Sequence, residues 1–190
     1  MYDRDYSRPS SENNEFPRTL AAPAALPMGL IGMQVILAYE WLVSALDKLG
    51  NAHFGDQLES VLQQSSHNGP YGWYSSLLRQ FVLPYHAIFA PLTQATELAI
   101  GLTLALSAAL WLFQPTHRLT VYGTWASTAA LLGSIFLSIN YFFQTGYPIP
   151  WINPNNSFVP GVDINTLVAL LSLLLLMANA RLLYRRGHGG

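Results

Sequence analysis

The feature that most constrains this chain is a set of four long apolar stretches, at residues 28–46, 87–113, 119–143 and 164–183. Each is close to or above the roughly 20 residues that an α-helix needs to cross about 30 Å of hydrocarbon at 1.5 Å per residue. Only 10% of the residues are charged, against about 25% in a typical soluble domain. The sequence therefore predicts an all-α integral membrane protein, a bundle of four transmembrane helices.

The segments around the spans complete the predicted organisation. Residues 1–27 are polar and have little to bury, so we expect a disordered cytoplasmic tail, and no signal peptide because acidic residues precede the first span. Apolar residues recur at helical spacing over 54–63 and 71–81, which predicts short amphipathic helices in the first outer loop, the second ended by Pro84. Residues 28–184 form the membrane domain, 144–163 an irregular aromatic cap, and 185–190 a cytoplasmic tail.

Arginine and lysine residues outside the spans predict the orientation. Only Lys48 and Arg79 fall on the side opposite the termini. Because such residues concentrate on the cytoplasmic side, we expect both termini in the cytoplasm and the protein in the plasma (inner) membrane. The residues on the terminal side are Arg4, Arg8, Arg18, Arg118, Arg181, Arg185 and Arg186.

Composition also limits the chemistry that the chain can perform. It contains no cysteine, so its own side chains supply no thiolate and hold no iron-sulfur cluster. Its five histidines fall in loops or at span ends and make no recognisable metal-ligand spacing, so neither haem nor a metal is expected. No dense basic run is present that would bind nucleic acid. Membrane lipid is the expected surrounding.

Two glutamates interrupt the apolar spans, Glu40 in the first and Glu97 in the second. A charged side chain at such a depth costs at least ~2.5 kcal/mol, so both are expected to face the bundle interior. One interpretation is a protonatable pocket beside a quinone head group, and the other is a hydrogen bond that holds the helices together. The residues that share a helix face with these carboxyls are Ser44, Asp47, Gln94 and Gly101.

Five side chains are candidates for ligand binding on the predicted outer side. Lys48 and Arg79 attract an anionic substrate or pair with nearby acids, or else extend to the lipid headgroups. His86, at the mouth of the second span, either donates to a quinone oxygen or is an ordinary interfacial histidine. Trp73 and Asn140 belong to an outer region that either lines a quinone entrance or forms an interfacial aromatic belt.

Two other patterns predict structure rather than chemistry. Asp163 directly precedes the fourth span and is expected to cap its helix. A stripe of small residues on the third span would let another helix approach closely. The stripe consists of Gly123, Ser127, Ala130, Ser134 and Ser138.

Several stretches also carry a family resemblance. They are the end of the first span with Trp41, Leu42, Leu46, Lys48, Leu49, Gly50 and Asn51, the segment 68–74, and then Pro84, Phe89, Ala90, Glu97, Leu98, Gly101 and Leu104. In these residues the chain resembles the DoxX-like family and, within it, the DoxD-type small subunit of thiosulfate:quinone oxidoreductase. The likeness covers residues 28–112 well and the remainder only by its helical pattern.

The resemblance implies a four-helix membrane subunit, bacterial or archaeal, associated with oxidation of a reduced sulfur compound and delivery of electrons to quinone. A partner membrane subunit is implied as well, and Glu40, Glu97 and Lys48 are the residues to test for catalysis. Two other functions stay open. One is an accessory subunit of a larger respiratory or photosynthetic complex, and the other is a small-anion transporter, which four spans without paired broken helices disfavour.

Overall fold

The computed structural model describes residues 28–113, 117–145 and 163–188, and the predictions for 1–27 and for most of 144–163 lie outside them. Within the described residues the chain is helical and has no β-strand. The α-helices are α1 Met28–Gly50, α2 Phe54–Asn68, α3 Gly72–Leu77, α4 His86–Phe113, α5 His117–Thr145 and α6 Ile164–His188.

Four helical segments are long and apolar enough to cross a membrane, which is the pattern of a multi-pass membrane protein. They are Met28–Gly50, Gly72–Phe113, Arg118–Gln144 and Ile164–Tyr184. Each contains one of the apolar stretches seen in the sequence. The first is longer than predicted, because α1 continues past residue 46 to Gly50. Lys48 therefore belongs to the last turn of α1 rather than to the connection that follows it.

The long helices pack in a ring in which α1 contacts α4, α4 contacts α5, α5 contacts α6, and α6 returns to α1. Apolar side chains cover the outside, with Leu106 and Phe136 each 66% exposed. Polar side chains such as Gln34, Ser127 and Asn179 lie inside. This distribution is the reverse of a soluble domain and suits a lipid surrounding, where polar groups must find partners within the protein.

The interior polar groups form layers along the ring. In one layer, the Asn179 amide of α6 donates to Ser127 Oγ of α5 at 3.1 Å. Seven residues further along α5, Trp41 Nε1 donates to Ser134 Oγ at 2.9 Å, and Ser134 also pairs with Ser172 at 2.8 Å. The predicted small-residue stripe on α5 is buried along its whole length, so its packing role is confirmed.

The connection between α1 and α4 contains two short helices. Leu62 of α2 is buried against Tyr74 of α3 and against Leu78. The break predicted at Pro84 is wrong: a π-helical stretch Leu78–Val82 and a 3-10 turn Leu83–Tyr85 carry the helical winding from α3 into α4. The reason is that a proline in a first helical turn has no N–H to leave unbonded and is already set to helical φ.

Asp163 caps the start of α6. Its Oδ2 accepts the backbone N–H of Thr166 at 3.0 Å, and its carbonyl accepts the N–H of Leu167 at 3.0 Å. These bonds satisfy donors that the first turn of a helix otherwise leaves unpaired. The predicted capping role of Asp163 is confirmed.

Candidate functional site

A buried ion pair between Lys48 of α1 and Glu97 of α4 is the main polar feature of the bundle. Lys48 Nζ lies 2.7 Å from both carboxylate oxygens of Glu97. The Glu97 side chain is 0% exposed and that of Lys48 is 20% exposed. Ser44, one turn before Lys48 on α1, donates to Glu97 Oε2 at 3.1 Å and accepts from Lys48 at 2.7 Å.

Tyr141 of α5 completes this cluster. Its hydroxyl donates to Glu97 Oε1, and its ring centroid lies 5.4 Å from Lys48 Nζ, within cation-π range. Gln94, one turn before Glu97, donates to the backbone carbonyl of Lys48 at 2.8 Å. The cluster, defined here as Ser44, Lys48, Glu97 and Tyr141, therefore joins α1, α4 and α5 near the end of α1.

Four hydrogen bonds converge on the carboxyl group of Glu97. Glu97 receives two bonds from Lys48 and one each from Ser44 and Tyr141. A carboxylate offers about four acceptor positions when ionised, whereas a protonated carboxyl would turn a donor towards these donors. Glu97 is thus the common acceptor that orients its neighbours, and Lys48 and Tyr141 are two of the donors that it holds in place.

Lys48 is the member of the cluster that reaches the surface. The ring of Phe54, at the start of α2, lies with its centroid 6.0 Å from Lys48 Nζ. Lys48 uses its three ammonium hydrogens on Ser44 and Glu97. A molecule approaching the cluster from this side would meet the aliphatic stem of Lys48 and an aromatic ring before it met Glu97.

A small cavity borders the opposite side of the cluster. It has a volume of about 60 Å³ and is lined by Glu40, Trp41, Ser44, Ser138, Tyr141, Ile164, Asn165 and Val168. This space is large enough for water, which needs roughly 10–15 Å³ on this measure, and much smaller than the 300–1,000 Å³ usual for organic ligands. This cavity is therefore too small for a quinone ring.

The prediction that Glu40 faces the bundle interior is wrong. Glu40 is exposed, and it makes no hydrogen bond or ion pair with any described residue, although it borders the small cavity. The face of α1 that packs inward is instead the one that carries Gln34, Trp41 and Ala45. Glu40 and Glu97 therefore do not meet, and Lys48 takes the place that Glu40 was expected to fill.

Trp73 belongs to an aromatic cluster, and Asn140 is joined to the same cluster through Tyr74. The cluster consists of Tyr71, Trp73, Tyr74, Phe142 and Phe143. Trp73 packs edge-on against Tyr74 and Phe143, with ring centroids 5.5 and 5.1 Å away. The backbone carbonyl of Asn140 accepts the Tyr74 hydroxyl at 3.1 Å, while the Asn140 side chain donates to Phe136 O at 2.7 Å. These contacts join α3 to the end of α5 and leave the Asn140 amide engaged with its own helix.

His86 and Arg79 are not part of the cluster. His86 Nδ1 lies 3.0 Å from the carbonyl of Leu83, and its Nε2 lies 3.4 Å from Glu59 of α2. Arg79 is exposed on the π-helical stretch and forms no ion pair with a described residue. Of the two cations predicted to attract an anion, only Arg79 keeps a charge that no carboxylate in the described residues offsets.

Sequence reasoning named Glu97 and Lys48, which the structure brings into contact, but it missed the contact of Tyr141 with Glu97. The available signal was spacing: Gln34, Trp41 and Lys48 recur every seven residues on α1, as do Ser127, Ser134 and Tyr141 on α5. Polar or amphipathic side chains repeating with this period share one helix face. Among the described residues, no group of three or more His, Asp or Glu side chains is placed to hold a metal.

The fold and the site together define a helical chain with four helices suited to a membrane and a buried ion pair near one end of the ring. Comparisons with family models, with curated proteins and with solved structures found no match to this chain.

Proposed function

We propose that the chain is a plasma-membrane subunit of a quinone-linked oxidoreductase that acts on a reduced sulfur compound such as thiosulfate, with both termini in the cytoplasm. The observation that carries the proposal is the cluster of Ser44, Lys48, Glu97 and Tyr141. It includes Lys48 and Glu97, two of the residues on which the DoxX-like resemblance rests. It also holds two proton donors beside a partly exposed position near the end of a membrane helix.

The proposed chemistry follows from the protons in the cluster. Reducing a quinone to a quinol takes two electrons and two protons, and the developing oxygen charge is stabilised by nearby donors. Lys48 is the group that a ring docked at Phe54 would approach first, and Tyr141 is the other donor bound to Glu97. Glu97 acts as a positioning residue that fixes both donors. With no cysteine in the chain, the electrons come from the sulfur substrate directly or through a partner subunit.

Arg79 is the proposed attractor for the anionic substrate. Its charge is exposed and is not offset by an acid among the described residues, whereas the charge of Lys48 is balanced by Glu97. A steering charge of this kind raises the association rate and loses its effect as salt increases.

The experiment that tests the proposal uses the complex isolated from its own host in mild detergent through a tag on this chain. Thiosulfate-dependent reduction of a short-chain quinone is measured by absorbance, with complex-free membranes and thiosulfate-free samples as controls. The proposal expects quinol formation that requires thiosulfate and lies well above both controls. Absence of this activity in an intact, multi-chain complex would contradict it.

A second function, a non-catalytic accessory subunit, has its own supporting observation. A wide groove of about 540 Å³ between α4 and α5 is lined by small or apolar residues such as Ala99, Ala126 and Gly133, and small residues let another helix approach closely. In addition, every acceptor position of Glu97 is already filled within the chain. A chain that migrates with a large membrane assembly and supports no quinone reduction would favour this function.

A further inference from the structure

The outward face of α1 carries an acidic group at a depth where it needs a partner. Glu40 lies near the middle of α1, about 18 Å along the axis from Met28 and about 15 Å from Gly50. It is exposed and forms no hydrogen bond or ion pair with a described residue. An ionisable group at membrane depth normally faces the protein interior, a polar cavity or an oppositely charged group.

No described cation pairs with this carboxylate, and the small cavity that it borders is lined by polar but uncharged neighbours such as Ser44 and Asn165. Lys48, two turns further along α1, is fully engaged with Glu97 and Ser44. Arg118 and Arg181 lie towards the opposite end of the ring, since Asn165, at the start of α6, borders the same cavity as Glu40. A cation that pairs with Glu40 would therefore have to come from outside this part of the chain.

The face around Glu40 has the pattern of a helix-packing seam. Exposed residues recur there at alternating spacings of three and four, and Glu40 and Asp47 lie along one edge of the seam, seven residues apart. At the Met28 end, a Cβ added to Gly29 or Gly32 would meet nothing within 4 Å, so another backbone can come close. The seam consists of Gly29, Gly32, Ile36, Tyr39, Val43 and Leu46.

A second copy of the chain does not fit this seam. In a parallel pair, the edge that carries Glu40 and Asp47 would face the opposite edge of the copy, which carries the exposed, apolar Val35 and Leu49. In an antiparallel pair, the acidic edges would face each other, and like charges would repel. Neither arrangement supplies a cation.

We infer that the exposed face of α1 binds a membrane-spanning helix of a different chain that carries a lysine or arginine opposite Glu40, and a second basic residue seven positions away opposite Asp47. The seven-residue spacing places the two acids about 10.5 Å apart on one edge, so the partner's basic residues need the same spacing. The inference rests on the part of the proposed function that makes this chain one subunit of a larger complex, and it names the chemistry of the partner.

The first test locates the partner. The tagged full-length chain with Tyr39→p-benzoylphenylalanine, which leaves Glu40 unchanged, is expressed in its own host and irradiated in the membrane. Mass spectrometry of the cross-linked peptide is expected to show a helix of another chain with Lys or Arg within one turn of the linked position. A link to a second copy, a link to a helix without such a residue, or a link to lipid alone would overturn the inference.

The second test changes the charge. In complexes purified from the same host, we expect Glu40→Lys to lower the recovered partner about tenfold or more, and Glu40→Gln about threefold. Asp56→Asn, which removes an exposed carboxylate on α2, should leave recovery unchanged. Because Glu40→Lys can affect folding, each variant is also melted as an isolated chain. In a charge exchange, the partner's basic residue is changed to Glu in a complex that also carries Glu40→Lys. This combination is expected to restore recovery of the partner.

The outcomes separate this inference from the proposed function. A complex that contains the basic partner helix but reduces no quinone contradicts the proposed function and leaves the inference standing. A complex that reduces quinone but retains its partner fully with Glu40→Lys overturns the inference alone.

Discussion

The two faces of α1 differ in whether their charged groups are paired within the chain. On the inward face, Lys48 is paired with the fully buried Glu97 and held by Ser44. On the outward face, Glu40 and Asp47 are exposed and make no ion pair with a described residue. The inward charges are paired within the chain, and the outward charges have no such partner among the described residues. Folding stability should therefore depend on the first face, and assembly on the second.

The largest effect expected is from Lys48→Met. This change leaves Glu97 buried without its cation, and breaking a buried pair in this way costs about 3–5 kcal/mol. The free energy of unfolding can be measured by SDS titration of the purified chain in mixed micelles. Combining Lys48→Met with Glu97→Gln removes both charges and should recover most of the loss, because a neutral pair avoids the unpaired buried charge. If Glu40→Gln destabilises the chain as much as Lys48→Met, the contrast between the faces is wrong.

The next effect concerns Tyr141. Tyr141→Phe removes a hydrogen bond to a charged acceptor, and such bonds contribute about 1.5–3 kcal/mol. Tyr74→Phe is the matched control, because its hydroxyl donates to the neutral carbonyl of Asn140 and should cost only about 1 kcal/mol. The free energy of unfolding of both variants is measured by the same titration. Equal losses would show that the bond from Tyr141 to Glu97 stabilises the chain no more than a bond to a neutral carbonyl does.

Glycine substitutions compare the packing of the two faces directly. A Cβ added at Gly101 of α4 would lie 2.8 Å from Leu42 Cγ and 3.0 Å from Leu42 N, so Gly101→Ala should cost about 1–3 kcal/mol through overpacking. Gly32 on the outward face has open space, so Gly32→Ala should be neutral or slightly stabilising in the isolated chain. Thermal melting of both variants checks the prediction, and a destabilising Gly32→Ala would mean that the outward face is already packed.

The smallest effect on the isolated chain is expected from Glu40→Gln. An exposed side chain without partners usually changes stability by no more than about 0.5 kcal/mol when replaced. The variant should therefore unfold like the wild-type chain in mixed micelles. A loss of stability well beyond this range would place Glu40 in an interaction within the chain.

The spans could be predicted from the sequence because length, hydropathy and charge act locally. Glu97 could be placed inside because an ionised carboxylate in an apolar helix needs a partner. Glu40 is exposed even though it lies in an apolar helix as well. Its helix offers two polar faces, and the one that packs is set by contacts with α4 and α5 that no local pattern contains. Lys48 was expected outside the span because its charge marks a helix end, although a single ion pair is enough to bring it inward.

Tyr141 could not be assigned for a related reason. A tyrosine near a helix end is typical of the membrane interface, and only the packing of α5 against α4 reveals that its hydroxyl points to Glu97. The helical path of the chain at Pro84 also could not be predicted from the neighbouring residues, because proline is found both where helices end and where they begin. In both places the side chain allows two structures, and tertiary contacts select one.

The central claim is that the cluster around Glu97 serves quinone reduction, and turnover of variant complexes tests it most directly. Thiosulfate-dependent quinone reduction would be measured for complexes of equal chain content that carry Glu97→Gln, Tyr141→Phe or Tyr74→Phe. The turnover of the first two variants is expected to fall about tenfold or more, the factor that ~1.4 kcal/mol of transition-state stabilisation provides. The turnover of Tyr74→Phe is expected to stay close to that of the wild type. Wild-type turnover in all three folded complexes would contradict the claim.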